Sequence, residues 1–264
     1  MTPTTGYAPV NGVDMYWESR GTGGTPLIVT HGGFGLTTMF GELLDHLAVD
    51  RRVIAIELQG HGHTRDIDRP FRFEHFGDDI AALIDHLELG QVDLLGYSLG
   101  GGASLRAAIR HPERVRRLAL VSTPCRREDW FPDVRAQMEH VGSAGFDQMK
   151  QSPMYAAWLA VAPDVDAFPA LMDRTGDLLR QPYDWSDEVR TMTDIPTLLI
   201  YGDADSIPPA RAAEFFAMLG GGQQDAGWDG TIPTEMRLAV LPGLTHYNIF
   251  QAPQLGPIIA DFIA

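Results

Sequence analysis

The segment Gly96-Tyr97-Ser98-Leu99-Gly100-Gly101 follows the apolar run Val92 to Leu95 and opens a stretch with helical spacing. Small residues two positions to either side of a serine let the chain turn sharply from strand into helix, which leaves the hydroxyl exposed on a strained backbone. The unpaired N–H groups and positive dipole end of that helix lie beside it and favour negative charge. Acyl transfer uses both features, with Ser98 as nucleophile and backbone donors for the oxyanion that forms on the substrate. Leu99 N–H, next after the nucleophile, is the first expected donor. The second is expected from the turn His31-Gly32-Gly33-Phe34-Gly35, with Gly33 N–H preferred and Phe34 N–H as the alternative.

A serine nucleophile needs a base that takes and returns a proton near neutrality, and imidazole is suited to that. Of the nine histidines, His246 stands in Leu241-Pro242-Gly243-Leu244-Thr245-His246-Tyr247-Asn248, a strand end and loop ahead of the last helical segment. His46, His75, His86, His111 and His140 fall in or beside helical segments and are expected to be solvated or capping. His31, His61 and His63 lie on loops near the expected site and are read as structural. A carboxylate must fix the imidazole tautomer and stabilise its charged form. Asp205, in Gly202-Asp203-Ala204-Asp205-Ser206-Ile207-Pro208, is the preferred acid, and Asp203 is expected to cap the turn.

The elements that must bring these groups together are legible in the periodicity. Gly6 to Val10 and Val13 to Glu18, joined by Asn11-Gly12, read as an antiparallel hairpin, because that dipeptide tolerates the positive φ angles of a tight turn. Short apolar runs at Leu27 to Thr30, Val53 to Ile56, Val92 to Leu95 and Val115 to Val121 read as buried strands, and strand-like character resumes at Thr197 to Tyr201 and Met236 to Leu241. Between them the spacing predicts helices containing Phe40 to Leu47, Phe76 to Leu87, Leu105 to Ile109, Pro208 to Leu219 and Ile249 to Ile263. Strand and helix alternation with short connections requires parallel pairing. The predicted fold class is therefore α/β, a doubly wound, mostly parallel sheet with an N-terminal antiparallel hairpin and a helical insertion.

The insertion, residues 125–190, is read as a cap on a core formed by residues 1–124 and 191–264. It is rich in large side chains, and Trp130, Met154, Tyr155 and Trp158 are expected to bind substrate together with Phe34 and Tyr247 from the core. The single cysteine, Cys125, rules out an intrachain disulfide framework and is expected to be a small buried apolar residue. Residues 220–230 are glycine-rich and polar, which predicts a mobile surface loop, with Trp228 a candidate for a pocket or interface.

Taken together, these residues resemble the α/β-hydrolase superfamily over nearly the whole chain. The order Ser98, Asp205, His246 is that family's order. Glu57-Leu58-Gln59-Gly60-His61-Gly62-His63-Thr64 is similar to the family's D-x-x-G-x-G-x-S loop, with Glu57 for the usual aspartate and Thr64 for the usual serine. The resemblance implies acyl chemistry shared by small esterases, enol-lactone hydrolases, carbon–carbon bond hydrolases, prolyl aminopeptidases and cofactor-free haloperoxidases. A serine at the elbow argues against haloalkane dehalogenases and related epoxide hydrolases, whose nucleophile is aspartate. The expected activity is hydrolysis of a carboxylic ester or lactone of a small, largely apolar substrate through an acyl-enzyme. Carbon–carbon bond hydrolysis of a ring-cleavage product, or slow-turnover ligand binding by a receptor-like protein, are the alternatives.

Composition narrows the partners. A net charge of −15 opposes nucleic-acid binding, which needs a basic face, and serves solubility more than recognition. No stretch approaches the roughly 18 apolar residues of a membrane span, and the first residues carry no basic or apolar run, so a cytoplasmic protein without membrane contact is expected. No metal-ligand spacing or phosphate-binding glycine loop occurs, so no metal and no cofactor are expected. The expected partner is a small-molecule substrate, with a homodimer as a further possibility.

Overall fold

The computed structural model describes residues 2–228 and 235–264. Eight strands, β1 (Thr4–Val10), β2 (Val13–Arg20), β3 (Leu27–Thr30), β4 (Val53–Ile56), β5 (Val92–Tyr97), β6 (Val115–Val121), β7 (Thr197–Ala204) and β8 (Met236–Thr245), form one sheet in the order β1-β2-β4-β3-β5-β6-β7-β8. β1 and β2 pair antiparallel, as do β2 and β4, and every other pair is parallel. Asn11 and Gly12 both have positive φ, 49° and 88°, the conformation that a two-residue hairpin turn demands.

The inner parallel strands β3, β4, β5 and β6 are largely buried on both faces, where successive side chains leave the sheet in opposite directions, whereas the edge strand β8 is mostly half-exposed. Ile28, Leu94, Leu118 and Leu120 join one apolar cluster with α2 (Phe73–His86), α3 (Leu99–Arg110) and α9 (Pro209–Met218). Leu27, Val29, Leu95, Ala119 and Val121 join another with α1 (Glu42–Leu47) and α10 (Leu255–Ile263). Helices on both faces of a mostly parallel sheet make the doubly wound architecture predicted from the alternation.

Several boundaries differ from expectation, including those of two helical segments. The helix expected from Ile249 to Ile263 is divided into a short 3-10 turn at Ile249–Gln251 and α10. Pro253 supplies no N–H and pushes Ala252 to an extended conformation, φ −68° and ψ 129°, so the helix restarts beyond it. Phe40 lies in a 3-10 turn ahead of α1 and outside the helix itself.

Between β6 and β7 the chain is helical: α4 (Pro132–Met138), α5 (Phe146–Met149), α6 (Pro153–Leu159), α7 (Phe168–Arg180) and α8 (Ser186–Val189). Cys125, at its start, is fully buried, and burial pushes its thiol up to about 12, so it stays protonated and inert. Of the glycine-rich segment, residues 229 and 230 lie outside the described residues; Trp228 is fully exposed and does not line the main cavity.

Candidate active site

The carboxyl ends of β3, β5, β6, β7 and β8 carry the polar groups of one site, where ligands bind in open parallel sheets. Ser98 follows β5 and caps α3 at φ 54°, ψ −118°. Its N–H donates to the Val121 carbonyl at 2.9 Å, which anchors the strained turn to β6. The turn also needs a bare Gly100: a Cβ there would collide with the backbone carbonyls of Thr30 and His31. The Ser98 turn and the end of β3 therefore pack backbone to backbone.

Ser98 Oγ lies 3.0 Å from His246 Nε2, and His246 Nδ1 lies 2.9 Å from Asp205 Oδ1. Asp205 and His246 are both buried. With Nδ1 donating to the carboxylate, Nε2 is left as the acceptor that faces the serine hydroxyl. Asp203 points elsewhere, accepting from Gly243 N–H at 2.7 Å and fastening the end of β7 to β8 where their pairing is irregular. Such a linked hydroxyl, imidazole and carboxylate can move a proton away from the hydroxyl as it attacks a carbonyl.

The turn after β3 is organised by His31. Leu58 N–H donates to His31 Nε2 at 3.1 Å, so Nδ1 carries the proton and donates to the Gly32 carbonyl at 2.7 Å. Complete burial keeps the ring neutral by lowering its pKa, in spite of that carbonyl and of Glu57. Gly35 N–H donates to the same carbonyl at 3.0 Å. A planar trans peptide then directs Gly33 N–H the opposite way, free of its own turn. Leu99 N–H, at the first position of α3, has no intrahelical partner by construction. The two residues are neighbours, since a Cβ on Gly33 would meet Leu99 Cδ1 at 3.6 Å. His61, its ring tilted against that of His31 at 4.8 Å, is driven by burial to a pKa of about 3 and is likewise neutral.

These groups open on a cavity of about 780 Å³. Gly33, Phe34, Ser98, Leu99, Trp130, Met154, His246 and Tyr247 all line it, so the structure brings most of the expected site residues together. Trp130 meets the His246 imidazole in a T-shaped contact, ring centroids 5.2 Å apart, and donates from Nε1 to the Tyr183 hydroxyl at 3.2 Å.

Tyr155 and Trp158, expected among the substrate-binding residues, do not line this cavity. Met154 and Ala157 share the cavity face of α6, whereas Tyr155 and Trp158 lie about 100° further round the helix and pack on Phe168 of α7. Trp158 is 2% exposed and donates to the Gly60 carbonyl, so it glues the helical segment to the core.

Several lining residues were missed in the sequence: Phe73 of α2, Met39 of the turn before α1, Tyr97, Val134, Met138 and Phe250. Tyr97 had a signal, its place beside Ser98. The others are ordinary apolar residues whose cavity face arises only from how the helices pack.

The family is now defined by both the fold and the comparisons. Residues 25–144 match the family model described as alpha/beta hydrolase fold. A pimeloyl-[acyl-carrier protein] methyl ester esterase of Neisseria meningitidis serogroup B is 31% identical over 202 residues, covering 70% of this chain and 76% of that protein. The chain belongs to the α/β-hydrolase family. A 2-hydroxymuconate semialdehyde hydrolase of Pseudomonas sp. (strain CF600) is 42% identical over 104 residues, 38% of this chain and 37% of that protein. The chain thus spans only about a third of the length of some curated relatives that it matches. Among solved structures, the enol-lactonase from Burkholderia xenovorans LB400 superposes with a TM-score of 0.71 at 24% identity, covering 97% of this chain and 99% of that one.

Proposed function

We propose that the protein is a serine hydrolase that cleaves a carboxylic ester or lactone of a small, largely apolar substrate through an acyl-enzyme. The observation that carries this reading is the unbroken chain from Ser98 Oγ through His246 to Asp205, with the hydroxyl facing an apolar cavity. His246 Nε2 takes the Ser98 proton as Oγ bonds to the substrate carbonyl carbon. Gly33 and Leu99 N–H groups receive the oxyanion, a contribution worth ~2.7–4 kcal/mol of barrier for each donor. The tetrahedral intermediate then expels the alcohol oxygen, which takes the proton from His246. Water, deprotonated by the same imidazole, attacks the acyl carbon and releases the acid and Ser98.

Residues 125–190 serve in this reading as a cap, with Trp130 and Met154 covering the substrate and Phe34 and Tyr247 bounding it from the core. The esterase and lactonase among the similar proteins support ester chemistry. Carbon–carbon bond hydrolysis of a ring-cleavage product is the second reading, favoured by the 42% identity to the semialdehyde hydrolase. Turnover of p-nitrophenyl butyrate, a small lactone and a dienone ring-cleavage product, measured side by side, separates the two. Ser98→Ala is expected to abolish hydrolysis in either case; full activity in that variant removes Ser98 from the mechanism.

A further inference from the structure

Ser122, directly after β6, has φ 52°, a left-handed conformation that a non-glycine residue adopts only at an energetic cost. Its backbone gives no reason for a side chain: Ser122 N–H donates to the Ile200 carbonyl at 2.8 Å, a bond that glycine would make with less strain. The side chain does one thing that glycine cannot. Fully buried, its hydroxyl donates to Asp205 Oδ2, the carboxylate oxygen that does not face His246. Gly202 N–H, at 3.3 Å, is the other donor to that oxygen. With Oδ1 engaged by His246 at 2.9 Å, the carboxylate is held at both ends and cannot turn about its own axis without breaking a contact.

We infer that Ser122 is a positioning residue that fixes the Asp205 carboxylate in the plane required to orient the His246 imidazole. The inference rests on the proposed roles of Ser98, Asp205 and His246. Backbone strain at position 122 is retained because it aims the hydroxyl at a charged, buried acceptor, where a donated hydrogen bond has most effect. Removing it leaves one carboxylate oxygen with a single long donor, so the imidazole is less often aligned. Substrate contacts are untouched, since Ser122 does not line the cavity.

The test compares Ser122→Gly and Ser122→Ala with the wild type, using p-nitrophenyl butyrate kinetics, the rate of Ser98 labelling by a fluorophosphonate, and Tm. Both variants lack the hydroxyl, and only glycine relieves the strain. The expected result is a kcat lower by about tenfold or more in both, with labelling slowed in parallel and KM within about twofold. Ser122→Gly is expected to melt no lower than Ser122→Ala, so the lost activity does not track lost stability. A Ser122→Gly variant that keeps its kcat, or that fails to fold, overturns the inference, the latter because the serine would then be a structural staple. If wild-type Ser98 resists the fluorophosphonate altogether, the underlying reading of the site falls instead.

Discussion

The Tyr97 hydroxyl donates to the backbone carbonyl of His246 at 2.6 Å, joining the residue before Ser98 to the loop that carries His246. Its ring also fits against the turn after β3, where a Cβ on Gly32 would stand 2.7 Å from Tyr97 Cε1. Burial, reinforced by the nearby Asp205 charge, raises the phenol pKa far above its usual value, so the group stays a donor. Tyr97→Phe keeps the ring and deletes only that bond. The variant is expected to fold normally and to lose about two- to tenfold in kcat on p-nitrophenyl butyrate, the range of one neutral hydrogen bond. Unchanged kcat would show that the His246 loop holds its position without Tyr97.

Gly100 has no room for a methyl group, because the atoms it would strike are backbone carbonyls of Thr30 and His31, which cannot rotate aside. Gly100→Ala must therefore separate α3 from the end of β3 and displace both Leu99 and Gly33. A destabilisation of about 1–3 kcal/mol is expected from such overpacking, with a larger proportional loss of activity than of folded protein. Urea denaturation and kcat/KM measured on the same preparation check both parts.

The linked Ser98, His246 and Asp205 were legible in the sequence because each is punctuated by its neighbours: glycines around Ser98, a strand end before Asp205 and a proline-glycine step before His246. The positions of the inner strands were equally legible, since buried parallel strands need apolar runs on both faces. What stayed hidden was set by packing. Tyr155 and Trp158 carry the same residue types as a pocket wall, and only the angular position of α6 over α7 turned them away from the cavity. Ser122 carried no signal at all, because a serine at positive φ looks like any other serine in a sequence.

Glu57 and His63 tie one wall of the cavity to the core, and their link is pH-dependent. Glu57 Oε1 accepts from Thr37 N–H and Oγ1, each at 3.2 Å, next to Leu36 and Thr38 of the cavity lining. Its Oε2 accepts from His63 N–H at 2.7 Å and faces His63 Nδ1 at 2.9 Å. The hydrogen bond to Glu57 raises the His63 pKa above 6.5, against partial burial, with the Glu57 and Glu18 charges adding to it. Burial pushes Glu57 up, and the His63 contacts outweigh it, leaving the carboxyl below 4.5. His63 thus contributes stability that is complete below 6.5 and lost as pH rises through its folded value. Glu57 contributes stability present above 4.5 and lost as pH falls through its own. The Tm difference between wild type and His63→Gln is expected to be largest at about pH 5–6 and to narrow towards about pH 9. A difference that stays constant over that range would remove the charge pairing from the account.

Cavity size sets the last expectation. About 780 Å³ of largely apolar space is far more than an acetyl group fills, so each added methylene has apolar wall to meet. Burying one CH₂ is worth about 0.8 kcal/mol, or roughly a fourfold gain in kcat/KM when the contact persists in the transition state. The kcat/KM for p-nitrophenyl esters is expected to rise from acetyl through butyryl to hexanoyl and then level off as the space is exhausted. Val134 of α4 lines this cavity, and Val134→Trp would fill part of it. That variant is expected to keep acetyl turnover within about twofold while losing most of the gain at hexanoyl. A flat chain-length profile in the wild type, or one that Val134→Trp leaves unchanged, would mean that the acyl chain lies elsewhere and that the helical segment covers the leaving group instead.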